Sequence, residues 1–234
     1  MHIYLCGGGS GNQISQAFLD FANSIDKEKP ILYIPLAMDK SKYNDCYKWF
    51  KAELKTVKLT NFEMIQSSEE LSNKNLSKYS AIYIGGGNTF RLLSELKKYD
   101  ILNNLRNYVG IIFGGSAGAI IFGKDINHCK LEEYNIIGLK ETTGLNYLQD
   151  YAILCHLNDK NLEKNKDYLE KYSRKNKLIY LPEEDVILLT ENEIIMFGEK
   201  DYIICKEGKI ECHKPKDLKK NNKIRKMIIH NFCG

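Results

Sequence analysis

The sequence predicts a three-layer α/β fold on a mainly parallel central sheet, and three observations carry that prediction. Through the first two-thirds of the chain, short apolar runs alternate with stretches of helical periodicity. Glycine-rich turns follow three of those runs, at 7–11, 85–87 and 114–118. From about residue 178 the pattern changes to short strand-like runs joined by tight turns such as Glu191-Asn192 and Glu207-Gly208. Alternation of the first kind means βαβ units and a parallel sheet covered on both faces. The later grammar means an antiparallel meander closing the same domain.

The elements follow in order. Residues 2–6 form an apolar strand that runs into the first glycine turn. Residues 13–25 then carry Ile14, Ala17, Phe18, Phe21 and Ala22 at helical spacing. Pro30 opens a buried strand at 31–36, and 41–57 is an amphipathic helix with Tyr43, Tyr47, Phe50 and Leu54 on one face. Strands are expected at 62–65 and 81–84, the latter followed by a helix over 90–97. The stretch 101–108 precedes a strand at 109–113. Further strands are expected at 151–155, 178–181, 186–190, 194–197, 202–205 and 209–212. No internal repeat or low-complexity linker divides the 234 residues, so the expectation is one domain over 1–234 with a basic segment at 213–234.

Composition excludes several classes. An apolar fraction of 43% with 27% charged residues is that of a globular chain. The most apolar stretch, 108–123, is broken by Gly114, Gly115 and Ser116, so no membrane span is expected. The start of the chain is strand-like, without the basic and apolar regions of a secretory signal. Seven cysteines without a C-x-x-C pair fit a reduced, cytoplasmic protein better than a disulfide scaffold. Net charge is +4, and the only arginines are Arg91, Arg106, Arg174 and Arg225. A nucleic-acid reader relies on arginine forks, so no nucleic-acid partner is expected, and the Lys-rich run at 214–226 reads as a solvated segment. Cys205, Cys212 and His213 lack ligand-pair spacing, so no metal is expected, and no organic cofactor either.

The glycine turns carry the chemistry. The run at 7–11 fails the G-x-G-x-x-G fingerprint and reads as a strand-to-helix turn without a ligand. The segment 118–125 comes within one residue of a phosphate loop. Its bulky apolar interior and Asp125 in place of a hydroxyl residue make it the start of a buried helix instead. Gly114-x-Ser116-x-Gly118 directly follows an apolar strand. A serine nucleophile needs such a sharp turn, with glycines admitting close backbone approach and the next N–H aimed at the reacting carbonyl. Its base is usually a histidine oriented by a carboxylate. Among the five histidines, His156 ends a strand and is best placed to reach another strand's elbow. The acidic turn Glu183-Glu184-Asp185 after Leu181-Pro182 supplies candidates for the third member, and spacing does not choose among them.

Gly85-Gly86-Gly87-Asn88-Thr89-Phe90, Gly115-Ser116-Ala117-Gly118-Ala119 and Leu181-Pro182-Glu183, in this order, resemble the peptidase E family of serine peptidases, the aspartyl dipeptidase and cyanophycinase group. The resemblance implies a flavodoxin-like fold of the class I glutamine amidotransferase type, with serine in place of the cysteine nucleophile. It puts the nucleophile at Ser116, the histidine at His156 and the acid at Glu183. It also implies an oxyanion hole from the backbone N–H groups of Gly87 and Ala117, with Gly86, Asn88 and Thr89 beside the substrate. The implied substrate is a short peptide, and the implied protein a monomer or homodimer. This chain has Glu184 where the family often has glycine, and Leu154-Cys155 where Asn-Pro is common. No arginine matches the one that family members place near an acidic substrate side chain. Lys160, Lys164 and Lys166 are the cations nearest His156 in sequence, and preference for N-terminal Asp is therefore expected to be weak or altered. The competing expectation is an amidotransferase-like domain that binds a small amino-acid ligand without catalysis.

Overall fold

A computed structural model describes residues 2–131, 133–191 and 193–215. The basic segment from 216 onward and Asn192 of the expected 191–192 turn lie outside the described residues.

Strand β1 (His2–Cys6) leads through a 3-10 turn to α1 (Ser15–Ser24), and β2 (Ile31–Ile34) leads to α2 (Tyr43–Lys55). Then come β3 (Phe62–Met64), α3 (Ser68–Ser72), β4 (Ala81–Ile84), α4 (Thr89–Lys97), α5 (Ile101–Arg106), β5 (Ile111–Gly115) and the single turn α6 (Ala117–Ile120). The chain continues through β6 (Tyr151–Leu157), α7 (Asp159–Ser173), β7 (Lys177–Pro182), β8 (Val186–Leu189), β9 (Ile194–Phe197), β10 (Tyr202–Lys206) and β11 (Lys209–His213). Strand β5 starts two residues later than its apolar run suggests. Val109 is 87% exposed, and pairing with β1 and β4 begins only at Ile111. The same pairing extends the strand through Gly115, which leaves Ser116 at its carboxyl end.

The main sheet has the order β3-β2-β4-β5-β1-β8-β9. Its first five strands are parallel, and β8 and β9 add an antiparallel edge. Each buried strand alternates its side chains between two apolar layers. Ile3 and Leu5 pack with α4, α5 and the second sheet, while Tyr4 and Cys6 pack with α1 and α2. On the α1–α2 face, Tyr83, Phe113 and Tyr4 lie in register on adjacent strands. Their rings stack at 5.0 and 5.6 Å. Such pairs are worth about 0.5–1.5 kcal/mol each beyond their buried area.

The C-terminal strands are antiparallel hairpins as expected, but they do not form one meander. Strands β8 and β9 join the main sheet, whereas β7, β10 and β11 pair with β6 in a second sheet of order β11-β10-β7-β6. The cause is the turn after Pro182, which carries the chain from one sheet to the other. It is pinned to the end of β1 by Gly7 N–H donating to the Asp185 carbonyl and Gly9 N–H to the Glu183 carbonyl, at 3.0 and 2.8 Å. Helix α7 covers the outer face of the second sheet through Leu169. No described helix is long and apolar enough to cross a membrane.

Candidate active site

The parallel strands end on one edge of the sheet, where open α/β sheets place their ligands. Ser116 follows β5 with φ 49° and ψ −111°, a backbone conformation that costs a non-glycine residue about 1–3 kcal/mol. Its N–H donates to the Cys6 carbonyl at 3.1 Å, and the first turn of α6 begins at the next residue. The segment 118–125 does not open a longer helix: α6 is a single buried turn ending at Ile120, and Asp125 beyond it accepts from Thr142 Oγ1 at 2.7 Å.

His156 arrives by a different device. Between Leu154 and Leu157, β6 holds two residues where β7 holds one, a bulge that bends the strand and re-aims a side chain. His156 takes φ 62° in that bulge, and its N–H donates to the Gly7 carbonyl at 3.0 Å. The imidazole then stands between two partners: Ser116 Oγ is 2.9 Å from Nε2, and Glu183 Oε1 is 2.7 Å from Nδ1. An ionised carboxylate only accepts, so Nδ1 carries the proton toward Glu183 and bare Nε2 accepts from the serine hydroxyl. The His156 and Glu183 side chains are 37% and 48% exposed, so solvent screens this pair more than it would a buried one. Glu184, next in sequence, instead lines a groove beside α1.

The other described histidines are elsewhere. His128 is fully buried in the 3-10 turn Asn127–Leu131, where Nε2 donates to the Ile153 carbonyl at 2.6 Å, and burial pulls its imidazolium down to about 4. His2 begins β1, and His213 ends β11 against the Tyr202 ring.

The glycine run at 7–11, expected to be a plain turn, holds the site together. The Cys6 and Gly7 carbonyls accept from the N–H groups of Ser116 and His156, and Gly9 N–H donates to the Glu183 carbonyl. Gly8 has φ 127°, and a Cβ there would run into the His156 ring, Cε1 first and then Nδ1. Cys6 closes the turn by accepting from Gly8 N–H at 3.4 Å, while burial pushes its thiol up to about 11. Nothing in the spacing of 7–11 signals this role, because the partners lie more than a hundred residues away in the chain.

Ser116 and His156 open on a cavity of about 210 Å³ that Gly87 and Thr89 also line. Gly87 reaches φ 139°, where a Cβ would meet the Ala37 carbonyl oxygen at 2.7 Å, and a Cβ on Gly86 would lie 3.4 Å from Ser116 Cβ. Asn88 is committed to the loop itself. Its Oδ1 caps α4 by accepting from Arg91 N–H, and its Nδ2 donates to the Tyr134 carbonyl, both at 2.9 Å. Ile120 and Leu154 supply apolar wall, and Cys129 and Glu133 complete the described lining. Sequence reasoning missed Glu133. It stands in the irregular segment between α6 and β6, where no periodicity marks a residue as facing anything. Lys160, Lys164 and Lys166 ride on α7, and none lines this cavity among the described residues.

A doubly covered parallel sheet with a strained serine at a strand end, touching a histidine backed by a carboxylate, defines a hydrolase of the serine type. Residues 3–200 match the family model described as Peptidase family S51, and the chain belongs to that family. It is thus a serine peptidase acting on peptide substrates. An uncharacterised peptidase of Pasteurella multocida is 29% identical over 170 residues, which span 67% of this chain and 78% of that one. Two crystal structures share the fold. One, described as a peptidase E protein of Listeria monocytogenes, aligns with TM-score 0.67 at 23% identity over 85% of this chain and 98% of its own. The other, a peptidase from an acI-B1 actinobacterium, aligns with TM-score 0.65 at 15% identity over 90% and 93%.

Proposed function

We propose that the chain hydrolyses short peptides through Ser116 as nucleophile, His156 as general base and acid, and Glu183 as the partner of the imidazolium. The observation that carries this reading is the continuous hydrogen-bond relay, 2.9 Å from Ser116 Oγ to His156 Nε2 and 2.7 Å from Nδ1 to Glu183. His156 takes the hydroxyl proton as Oγ attacks the scissile carbonyl, then returns it to the leaving amine. The acyl-enzyme is released by water activated through the same nitrogen. The tetrahedral oxyanion is received by the N–H groups of Gly87 and Ala117. The approach of 85–87 to Ser116 and the start of α6 at Ala117 support that assignment. Each such donor is worth about 3–4 kcal/mol of barrier.

Preference for the first residue is loose in this reading, since no lysine or arginine is among the described lining residues. The test is labelling by a fluorophosphonate probe. Wild type should label and Ser116→Ala should not, with turnover of dipeptide amides falling by at least about 10⁴-fold in the variant. A folded wild type that neither labels nor cleaves a dipeptide panel overturns the mechanism. A preference above about a hundredfold for N-terminal Asp, roughly 2.7 kcal/mol, overturns the loose specificity.

A further inference from the structure

We infer that Asn158 and Asn161, at the start of α7, are positioning residues for the base: together they hold the main-chain carbonyl of His156, and through it the imidazole. The inference rests on the reading of His156 as base and adds the two side chains that set its geometry.

The bulge that aims His156 also takes its backbone out of the sheet ladder. Strand β6 pairs with β7 at Leu154 and again at Leu157, and the register between them skips Cys155 and His156. A left-handed φ of 62° is unfavourable for a residue with a Cβ, and it persists only where the surroundings over-determine it. On the amino side, His156 N–H donates to the Gly7 carbonyl at 3.0 Å. On the other side, its carbonyl accepts from two amides, Asn161 Nδ2 at 3.0 Å and Asn158 Nδ2 at 3.2 Å. A carbonyl oxygen has two lone pairs, and two donors meet them here. The peptide planes on both sides of the His156 α-carbon are thereby fixed, and with them the point from which the ring hangs.

The amides are themselves anchored. Asn158 is the N-cap of α7, its Oδ1 accepting from Asn161 N–H at 2.9 Å. Aspartate caps a helix as well as asparagine does, but an ionised carboxylate has no proton to donate. Capping therefore does not call for an amide at 158, whereas holding the His156 carbonyl does. Asn161 is the half-buried member of the pair, less open to competition from water. Behind both, α7 runs for 15 residues and packs Leu169 against the second sheet. A regular helix thus carries the reference point of the base, and groups built on helices are held more precisely than groups on loops.

The experiment removes the donors and keeps the helix start. Asn158→Asp preserves the cap, and an acid in or beside the first turn suits the helix dipole, so α7 should keep its beginning. Asn161→Ala and Asn161→Asp both delete the second donor, one without charge and one with it. Each single variant should lower kcat about tenfold, because the remaining amide still holds the carbonyl. Asn158→Asp with Asn161→Ala should lower it by at least about a hundredfold, more than the two singles multiplied. KM should stay within about threefold, the rate of fluorophosphonate labelling should fall with kcat, and melting temperatures should stay within about 4 °C. A crystal structure of the double variant should show His156 Nε2 beyond hydrogen-bond reach of Ser116 Oγ. A folded double variant that keeps kcat and labelling within about threefold overturns the inference. So does a loss carried by KM, or one seen in Asn161→Asp and absent from Asn161→Ala, which assigns the effect to charge. If the double variant fails to fold, Asn158→Asp decides alone: reduced kcat at an unchanged melting temperature supports the inference, and full kcat overturns it. A wild type that neither labels nor cleaves, with the ring displaced in the double variant, would sink the serine mechanism and leave the positioning standing. Labelling and turnover that survive in the double variant would do the reverse.

Discussion

At Ser116 the backbone is held in a conformation that a serine avoids, and the neighbouring imidazole is held in one tautomer by a carboxylate that is half exposed. Removing the charge of Glu183 therefore acts in two ways. The imidazolium loses its partner, and a glutamine can turn its NH₂ group toward Nδ1 and so favour the wrong tautomer. Glu183→Gln should lower kcat by about 10²–10⁴-fold, toward the smaller end because solvent already screens the pair. Glu184→Gln should stay within about threefold, since that side chain lines the groove beside α1. Kinetics on one dipeptide, with melting temperatures to exclude unfolding, check both. The opposite ranking would move the acid by one residue. The elbow at Ser116 was legible in the sequence because an elbow is a local event: strand, glycine, serine, glycine. Spacing did not choose among Glu183, Glu184 and Asp185, since three adjacent acids look alike until a distant histidine meets one; only the resemblance of Leu181-Pro182-Glu183 pointed to Glu183.

Elements were read well wherever their information is local. Buried strands announce themselves by short apolar runs and helices by their period, so β1, β4 and β9 fall on the expected residues. What the pattern could not supply was the sheet each C-terminal strand joins, because hairpin turns fix neighbours in sequence and not the edge on which they dock. That choice is made by the contacts of 7–9 with 183–185. The same short segment meets His156, which yields a test at this scale. Gly8→Ala introduces a methyl group at φ 127° against the imidazole. Strain of this sort costs about 1–3 kcal/mol, so the protein should remain folded with a lowered melting temperature. A ring displaced by about 1 Å can cost a hundredfold in rate, and kcat/KM should fall by at least that much. A Gly8→Ala protein with full activity would show that the turn does not position the base.

Over the whole molecule, the two sheets meet at the turn between β7 and β8, and a charge problem is built into that junction. Asp185 is fully buried there. Its Oδ1 accepts from Lys200 N–H at 3.3 Å, Oδ2 has no hydrogen-bond partner among the described residues, and burial pushes the carboxyl up to about 7. An unfolded aspartate titrates near 3.9, so between about pH 4 and 7 the folded protein binds the extra proton. Its contribution to stability is then full below pH 4, falls as pH rises through that window, and is flat above. The total is on the order of 2–4 kcal/mol. His128 opposes it over much of the same range. Buried and neutral, with its imidazolium down at about 4, it binds fewer protons folded than unfolded, so its contribution rises from about pH 4 to 6.5. The wild-type curve should therefore be shallow in acid, and only a difference exposes the carboxyl. Asp185→Asn removes the titration and leaves that of His128, whatever constant cost the amide carries. Urea unfolding at pH 4, 5, 6, 7 and 8 should show the variant gaining on wild type steadily to about pH 7 and no further. A difference that stays constant from pH 4 to 8 would mean that Asp185 is ionised throughout, with its charge met by a partner at the junction.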